Sequence, residues 1–166
     1  VPNNNLCTHG EYDRRQYVNL FVAYEAAVKG NGWTSVVVVH EETDRGVADE
    51  IAGRIDAPVF EHPDPLVLKS ALGQASAAVA SRFHAVVGCL SQAVPTLALG
   101  WSHKYRELLD DFGVADRLVT SDTSPQAAFD RLLADAAGTA RQKDRIPEIV
   151  AQVDAMWDRT IEMLNA

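Results

Sequence analysis

Ser81, Arg82 and His84 make up the short run of this chain whose residue types and spacing suit chemistry on a small anion. An apolar run, Ala75 to Ala80, stops at Ser81-Arg82-Phe83-His84, and a second apolar, small-residue run follows as far as Leu90. The first run has strand length and the second helix length. Ser81 is therefore placed as an N-cap, with Arg82 to His84 in the first turn of a helix that starts at the carboxyl end of a strand. Such a turn offers free backbone N–H groups and the positive end of the helix dipole, beside a guanidinium and an imidazole. On these residues alone, an anion seat and a merely decorated helix start weigh the same. Side chains two apart on a helix diverge, so Arg82 and His84 flank a ligand on the helix axis or else divide, one of them becoming structural.

The surrounding pattern alternates strand and helix. Tyr12 to Lys29 carries Tyr17, Leu20, Phe21, Tyr24 and Val28 on one helical face and stops at Gly30-Asn31-Gly32. Thr34 to His40 holds an unbroken β-branched run, Val36 to Val39, as in a strand buried on both faces of a parallel sheet. A helix is expected from Asp44 to Ile55, a strand over Ala57 to Phe60, and a helix capped by Asp64 with Pro65 in its first turn. After the strand Ala75 to Ala80 and the helix Arg82 to Ser91 come a strand over Pro95 to Leu99 and a helix opened by Gly100 to Lys104. A strand over Arg117 to Thr120 follows, then a helix started by Ser124-Pro125. The last helix is expected over Ile146 to Leu164, with a break near Gly138. Short alternating units of this kind predict one α/β domain over residues 1–166, a Rossmann-like doubly wound parallel sheet. The opening Val1-Pro2-Asn3 reads as the tail of a strand running into a loop. The rest of that strand, and a preceding amino-terminal domain, are expected outside these residues.

In open parallel sheets ligands bind beyond the carboxyl ends of the strands. That rule selects Asn3 to His9, His40 to Asp44, Glu61-His62, Ser81 to His84, Gly100 to Lys104 and Ser121-Asp122. The strands Ala75 to Ala80 and Pro95 to Leu99 are expected to be neighbours. Arg82, His84, Ser102, His103 and Lys104 should then share a crevice suited to a compact dianion or trianion. Neither nucleotide-binding glycine fingerprint is present, no G-x-S-x-G elbow surrounds Ser81 or Ser91, and His40-Glu41 lacks the second histidine of a zinc-binding HExxH. No metal or other cofactor is expected. Trp101 is placed either against a sugar or in packing, and Trp33 and Trp157 in the core or an interface.

The net charge of −8 over 166 residues argues against nucleic acid or an anionic membrane as a bulk electrostatic partner. No stretch has the length and apolarity of a membrane span, and no secretory signal opens the chain. Cys7 and Cys89 fit no disulfide framework, and Cys89 reads as a small buried hydrophobe. A reducing, cytoplasmic setting is expected.

The residues Ser81-Arg82-Phe83-His84, then Leu90-Ser91-Gln92-Ala93-Val94-Pro95-Thr96, then Lys104, resemble the polysaccharide pyruvyl transferase family, and in looser form the likeness extends through His40 to Asp44 and the terminal helices. It covers most of the chain but only the carboxyl-terminal half of such proteins. The resemblance implies a two-domain, glycosyltransferase-B-like architecture, with phosphoenolpyruvate as donor and a sugar or glycan as acceptor. Two sugar hydroxyls add to the enol carbon, phosphate leaves, and a cyclic pyruvate ketal forms in exopolysaccharide or cell-wall glycan synthesis. Carried over by position, Arg82 holds the donor's phosphate or carboxylate and His84 is the general acid or base. Lys104 stabilises the departing phosphate, and Ser81, Ser102 and Glu41 contact substrate. Family members use a further basic residue from an earlier loop; here Asn3, Asn4, Asn5 and His9 stand there, with Arg14 and Arg15 further on, and no equivalent is assigned.

Two other readings remain. A nucleotide-sugar-dependent glycosyltransferase or epimerase half-domain would need an acidic ribose contact, for which Asp122 or Glu107 is available. A non-catalytic binding domain of the same fold would leave the anion pocket without a role.

Overall fold

The computed structural model describes residues 1–100, 102–120 and 122–165. Its architecture is mixed α/β with two small parallel sheets. β1 (Val37–Val38) pairs with β2 (Val59–Phe60), Val37 opposite Val59. β3 (Ala78–Ala80), β4 (Thr96–Leu99) and β5 (Leu118–Val119) form the second sheet in that order, with Ala78 opposite Thr96 and Ala98 opposite Leu118. The five strands expected between Thr34 and Thr120 are present, whereas Val1 to Asn3, read as a strand tail, is not assigned as strand. Each ladder is shorter than its apolar run, because only part of each run finds a partner strand.

Among the described residues, eight α-helices connect and cover the strands: α1 (Asn5–Thr8), α2 (Arg14–Gly30), α3 (Arg45–Ile55), α4 (Pro65–Gly73), α5 (Phe83–Leu90), α6 (His103–Asp111), α7 (Pro125–Ala134) and α8 (Ala136–Leu164). Successive strand residues point to opposite faces, and the core divides accordingly. Val37, Val39, Leu97, Leu99 and Val119 join one cluster with Tyr17, Phe21, Ile51 and Phe129 of α2, α3 and α7. Val38, Ala80, Ala98 and Leu118 join the other with Val86, Leu90, Tyr105 and Leu109 of α5 and α6. Strands buried from both sides explain why Val36 to Val39 shows no polar alternation. Cys89 is fully buried, as its apolar neighbours suggested, and burial pushes its thiol pKa up. Trp33 meets Phe129 edge to face, with ring centroids 5.9 Å apart, whereas Trp157 is 56% exposed on α8 rather than in a core.

Three local expectations are corrected. The segment after Asn4, expected as loop, winds into the short helix α1, steadied by the Asn3 side chain accepting from Asn5 N at 3.0 Å. Ser81 is not a cap: α5 begins at Phe83 with Arg82 in the extended N-cap position, and the Ser81 hydroxyl is turned into the core. The last helix begins at Ala136, not Ile146, and the break falls at Asp135 instead of Gly138.

A buried polar chain accounts for that last difference. One Asp135 oxygen accepts from Gly138 N at 2.7 Å and the other from Arg117 Nη2 at 3.0 Å. Arg117 Nη1 donates to Gln142 Oε1 at 2.7 Å, and Gln142 Nε2 donates to the carbonyls of Leu90 (3.0 Å) and Val94 (3.2 Å). The first two turns of α8 are thereby tied to β5 and to the end of α5, so the helix forms upstream of Pro147 and passes through it. Gly138 is required for a reason other than breaking a helix, since a Cβ there would lie 1.8 Å from Asp135 Oδ2. Gly138→Ala should therefore destabilise the protein by about 1–2 kcal/mol, the lost cap and loosened Arg117 outweighing the roughly 1 kcal/mol that alanine adds to helix propensity. Chemical denaturation of the two proteins checks the sign.

Candidate functional site

Helices α2, α4, α7 and α8 start with a side-chain cap, from Asp13, Asp64, Ser124 and Asp135 in turn. Those that follow β1, β3 and β4 do not. α3, α5 and α6 have Asp44, Arg82 and Ser102 in the N-cap position, and none of the three makes a side-chain cap bond among the described residues. α3 runs on from a 3-10 turn, Glu42–Asp44, in which Arg45 N donates to Glu42 O, whereas uncapped starts such as those of α5 and α6 leave first-turn N–H groups free and carry partial positive charge. The loops that bear them are stitched into one region by side chains.

Arg82 is the stitch, and it is buried rather than displayed. Its Nε and Nη2 each donate to Asp44 at 2.7 Å, Nη2 also reaches Thr43 Oγ1 at 3.1 Å, and Nη1 meets Glu41 at 2.9 Å. Asp44 is itself fully buried and accepts from Asn4 N at 2.8 Å, so one carboxylate joins the loops after β1 and β3 to the segment before α1. Ser81 is equally enclosed. Its hydroxyl bonds Tyr17 OH at 2.5 Å and Val1 O at 3.2 Å, and its carbonyl accepts from Asn3 Nδ2 (3.0 Å) and Tyr105 OH (2.8 Å). The sequence places Arg82 and Ser81 in contact with substrate; the structure makes Ser81 a strut and commits most of Arg82 to Asp44. Only the Nη1 corner, held by the half-exposed Glu41, faces a partner that can swing away.

His84 takes the other side of the helix start and is exposed. Its ring lies 14° from parallel with His40, centroids 6.4 Å apart, and 6.1 Å from Phe83. Phe83 in turn carries Lys104 Nζ 4.6 Å from its ring centre, with Tyr105 at 5.4 Å edge to face. His84 and Lys104 thus each lie beside the Phe83 ring. A cation over a ring face is held without its charge being neutralised.

His40 belongs to this group by geometry, although the sequence offered it only as part of a polar loop and as half of an incomplete zinc motif. Its signal was its place at the end of the Val36 to Val39 run, hence at a strand's carboxyl end. Burial, helped by His84 and Arg82 and opposed by Glu41 and Asp44, lowers its pKa. Two buried polar atoms of the region, His40 Nδ1 and Ser102 Oγ, have no hydrogen-bond partner among the described residues. Unsatisfied buried polar atoms are uncommon, and these two sit at the ends of β1 and β4 beside the uncapped helix starts.

Other selected residues lie apart or are occupied. Glu61 is paired with Arg45, which also bonds Asp49 at 2.9 Å, and His62 Nδ1 accepts from Asp64 N at 3.1 Å. Arg14 pairs with Glu50 at 2.8 Å and reaches Asn4 Oδ1 at 3.5 Å, the nearest approach of an early-loop cation to the network. His9 and His103 are exposed. Trp101 and Ser121 lie outside the described residues. Among the described residues no group of three or more His, Cys, Asp or Glu is placed to hold a metal ion, and no helix is long and apolar enough to cross a membrane.

The family model described as polysaccharide pyruvyl transferase matches residues 4–103, a span that takes in Asn4, His40, Asp44, Arg82, His84 and Ser102 and ends one residue before Lys104. No curated protein and no solved structure matches the chain.

Removing one partner of a buried ion pair leaves an uncompensated charge. Asp44→Asn should cost about 3–5 kcal/mol, measured as a lower denaturation midpoint, far more than Glu41→Gln at the exposed end of the same guanidinium. The lowered His40 pKa fixes a second sign. The unfolded chain takes up the proton near the ordinary value of 6.5 and the folded one only below it, so stability falls as pH drops through 6.5 and keeps falling until the folded imidazole protonates. His40→Asn should flatten that part of the stability–pH curve.

Proposed function

The chain belongs to the polysaccharide pyruvyl transferase family, and from that premise we propose that it carries the donor side of pyruvyl transfer from phosphoenolpyruvate to a sugar, making a cyclic ketal in glycan synthesis. In this reading the strands and helices form a Rossmann-like carboxyl-terminal half of a glycosyltransferase-B-type enzyme working in the cytoplasm, and the acceptor's contacts lie on a preceding domain. One observation carries the proposal: the uncapped starts of α5 and α6 converge with exposed His84, Lys104 and the unpartnered His40 Nδ1 and Ser102 Oγ. A compact trianion supplies what that cluster lacks.

The donor's phosphate lies against the α5 and α6 amides with Lys104 beside it, where positive charge also stabilises the phosphate as it departs. Its carboxylate displaces Glu41 from Arg82 Nη1, the one corner of the guanidinium not spent on Asp44 or Thr43. Ser102 Oγ and His40 Nδ1 bind donor oxygens or ordered water. His84 delivers a proton to the methylene carbon while the first sugar hydroxyl forms its bond to the enol carbon and gives up its own proton, restoring the imidazolium. The second hydroxyl then bonds to the same carbon as the bond to the phosphate oxygen breaks, and its proton leaves with inorganic phosphate. An imidazole can both give and take a proton.

Phosphate release from phosphoenolpyruvate with a sugar acceptor tests this in the full-length enzyme. His84→Ala should lower kcat by about 10²–10⁴-fold with the melting temperature unchanged, because the side chain is exposed. Glu41→Gln should lower the KM for phosphoenolpyruvate several-fold by removing a competing carboxylate. Near-normal turnover by His84→Ala removes the acid–base assignment, and an unaltered KM in Glu41→Gln removes the displacement step.

A further inference from the structure

A cavity of the protein lies away from this cluster. It measures about 760 Å³ and is bordered by the backbone of Val36 to Val38 on one side and Ser76 to Val79 on the other, with Val1 and Pro2 at one end. It is a gap in the plane of the strands, between β1 and β3, which are in separate sheets.

Both borders are strand edges. Val37 N and Val39 N donate to Pro58 and Phe60 of the β2 side, so the alternating pattern aims the N–H groups of Val36 and Val38 into the gap. On the far side Ala78 N donates to Pro95 O, which turns the N–H groups of Ala77, Val79 and Ser81 the same way. Val1 already occupies the end of this gap as a strand residue would. Its nitrogen donates to Val79 O at 2.7 Å and its carbonyl accepts from Ser81 N at 3.0 Å, the parallel bridge in which one residue bonds both neighbours of Ala80.

We propose that the gap between β1 and β3 is the seat of one further parallel β-strand, continuous with Val1, that joins the two sheets into one. The register is set by the Val1–Ala80 bridge: the residue two before Val1 lies opposite Ala78, and Val79 N–H donates to it. The strand is apolar on both faces, because alternate side chains meet Phe21, Tyr24 and Phe129 on one side and Leu72 on the other. Burial pushes the Val1 ammonium pKa down to about 6. A peptide N–H making the same bond to Val79 brings no charge to desolvate. Edge strands with unpaired N–H and C=O groups are rarely left open, and this strand closes both edges at once.

The test extends the chain before Val1 by Val-Ile-Val-Val-Ile and compares it with the same extension carrying proline at its second and fourth positions, and with the same pentapeptide added free at equimolar concentration. Amide hydrogen exchange at Val36, Val38, Ala77 and Val79 should slow at least tenfold in the first protein, with a rise in melting temperature, and should not slow in the other two. Unchanged exchange in the extended chain overturns the proposal, as does equal protection by the proline version. Equal protection by the free peptide, or concentration-dependent protection of the unextended chain by a second copy, overturns the assignment of the occupant.

Discussion

The buried pair of Arg82 and Asp44 is the contact on which the candidate site depends. Two N–H groups at 2.7 Å from one fully buried carboxylate hold the loop after β1 against the loop after β3, and Asn4 N binds the same carboxylate. Burying an ion pair adds little net stability compared with an apolar equivalent, but each member makes the other obligatory. The gain is positional. With Asp44 spent on Arg82, α3 has no side-chain cap, and with Arg82 itself in the N-cap position of α5 that helix has none either. Structural charges buried behind the helix starts thus leave their positive ends available in front.

This division explains why two residues of one short motif have opposite fates. Arg82 and His84 are two apart where the chain enters a helix, so their side chains leave in different directions. One goes inward to a carboxylate, and the other outward beside His40 and Phe83. An exposed imidazole is thus mounted two residues from a buried guanidinium. Glu41 mediates between the two zones, since its carboxylate touches the buried guanidinium from the solvent side.

Much of the framework was legible in local patterns. The unbroken valine run marked a strand covered on both faces, and the two core clusters bear this out, Val37 and Val39 joining one and Val38 the other. Asp64-Pro65 and Ser124-Pro125 marked helix starts because cap and fixed φ act within a few residues. Ser81 misled for the complementary reason: its hydroxyl had an ordinary capping position available, but Tyr17, far off in the chain, offered a buried partner. The helix start expected at Ile146 was misplaced in the same way, since Arg117 and Gln142 anchor turns ahead of it. His40 carried only half of a zinc motif that the chain does not complete. Its membership of the site comes from a stacking partner on another loop.

The sequence by itself determined the alternation of strand and helix, the parallel character of the sheets and the edge at which a polar cluster would gather. Each of these follows from periodicity and from caps a few residues away, which are local physics. Only the tertiary structure decided which basic residue is structural and which is available, where the last helix starts, and that a gap separates β1 from β3. Those outcomes turn on the competition between partners distant in sequence for the same donors and acceptors, and no spacing along the chain records who wins it.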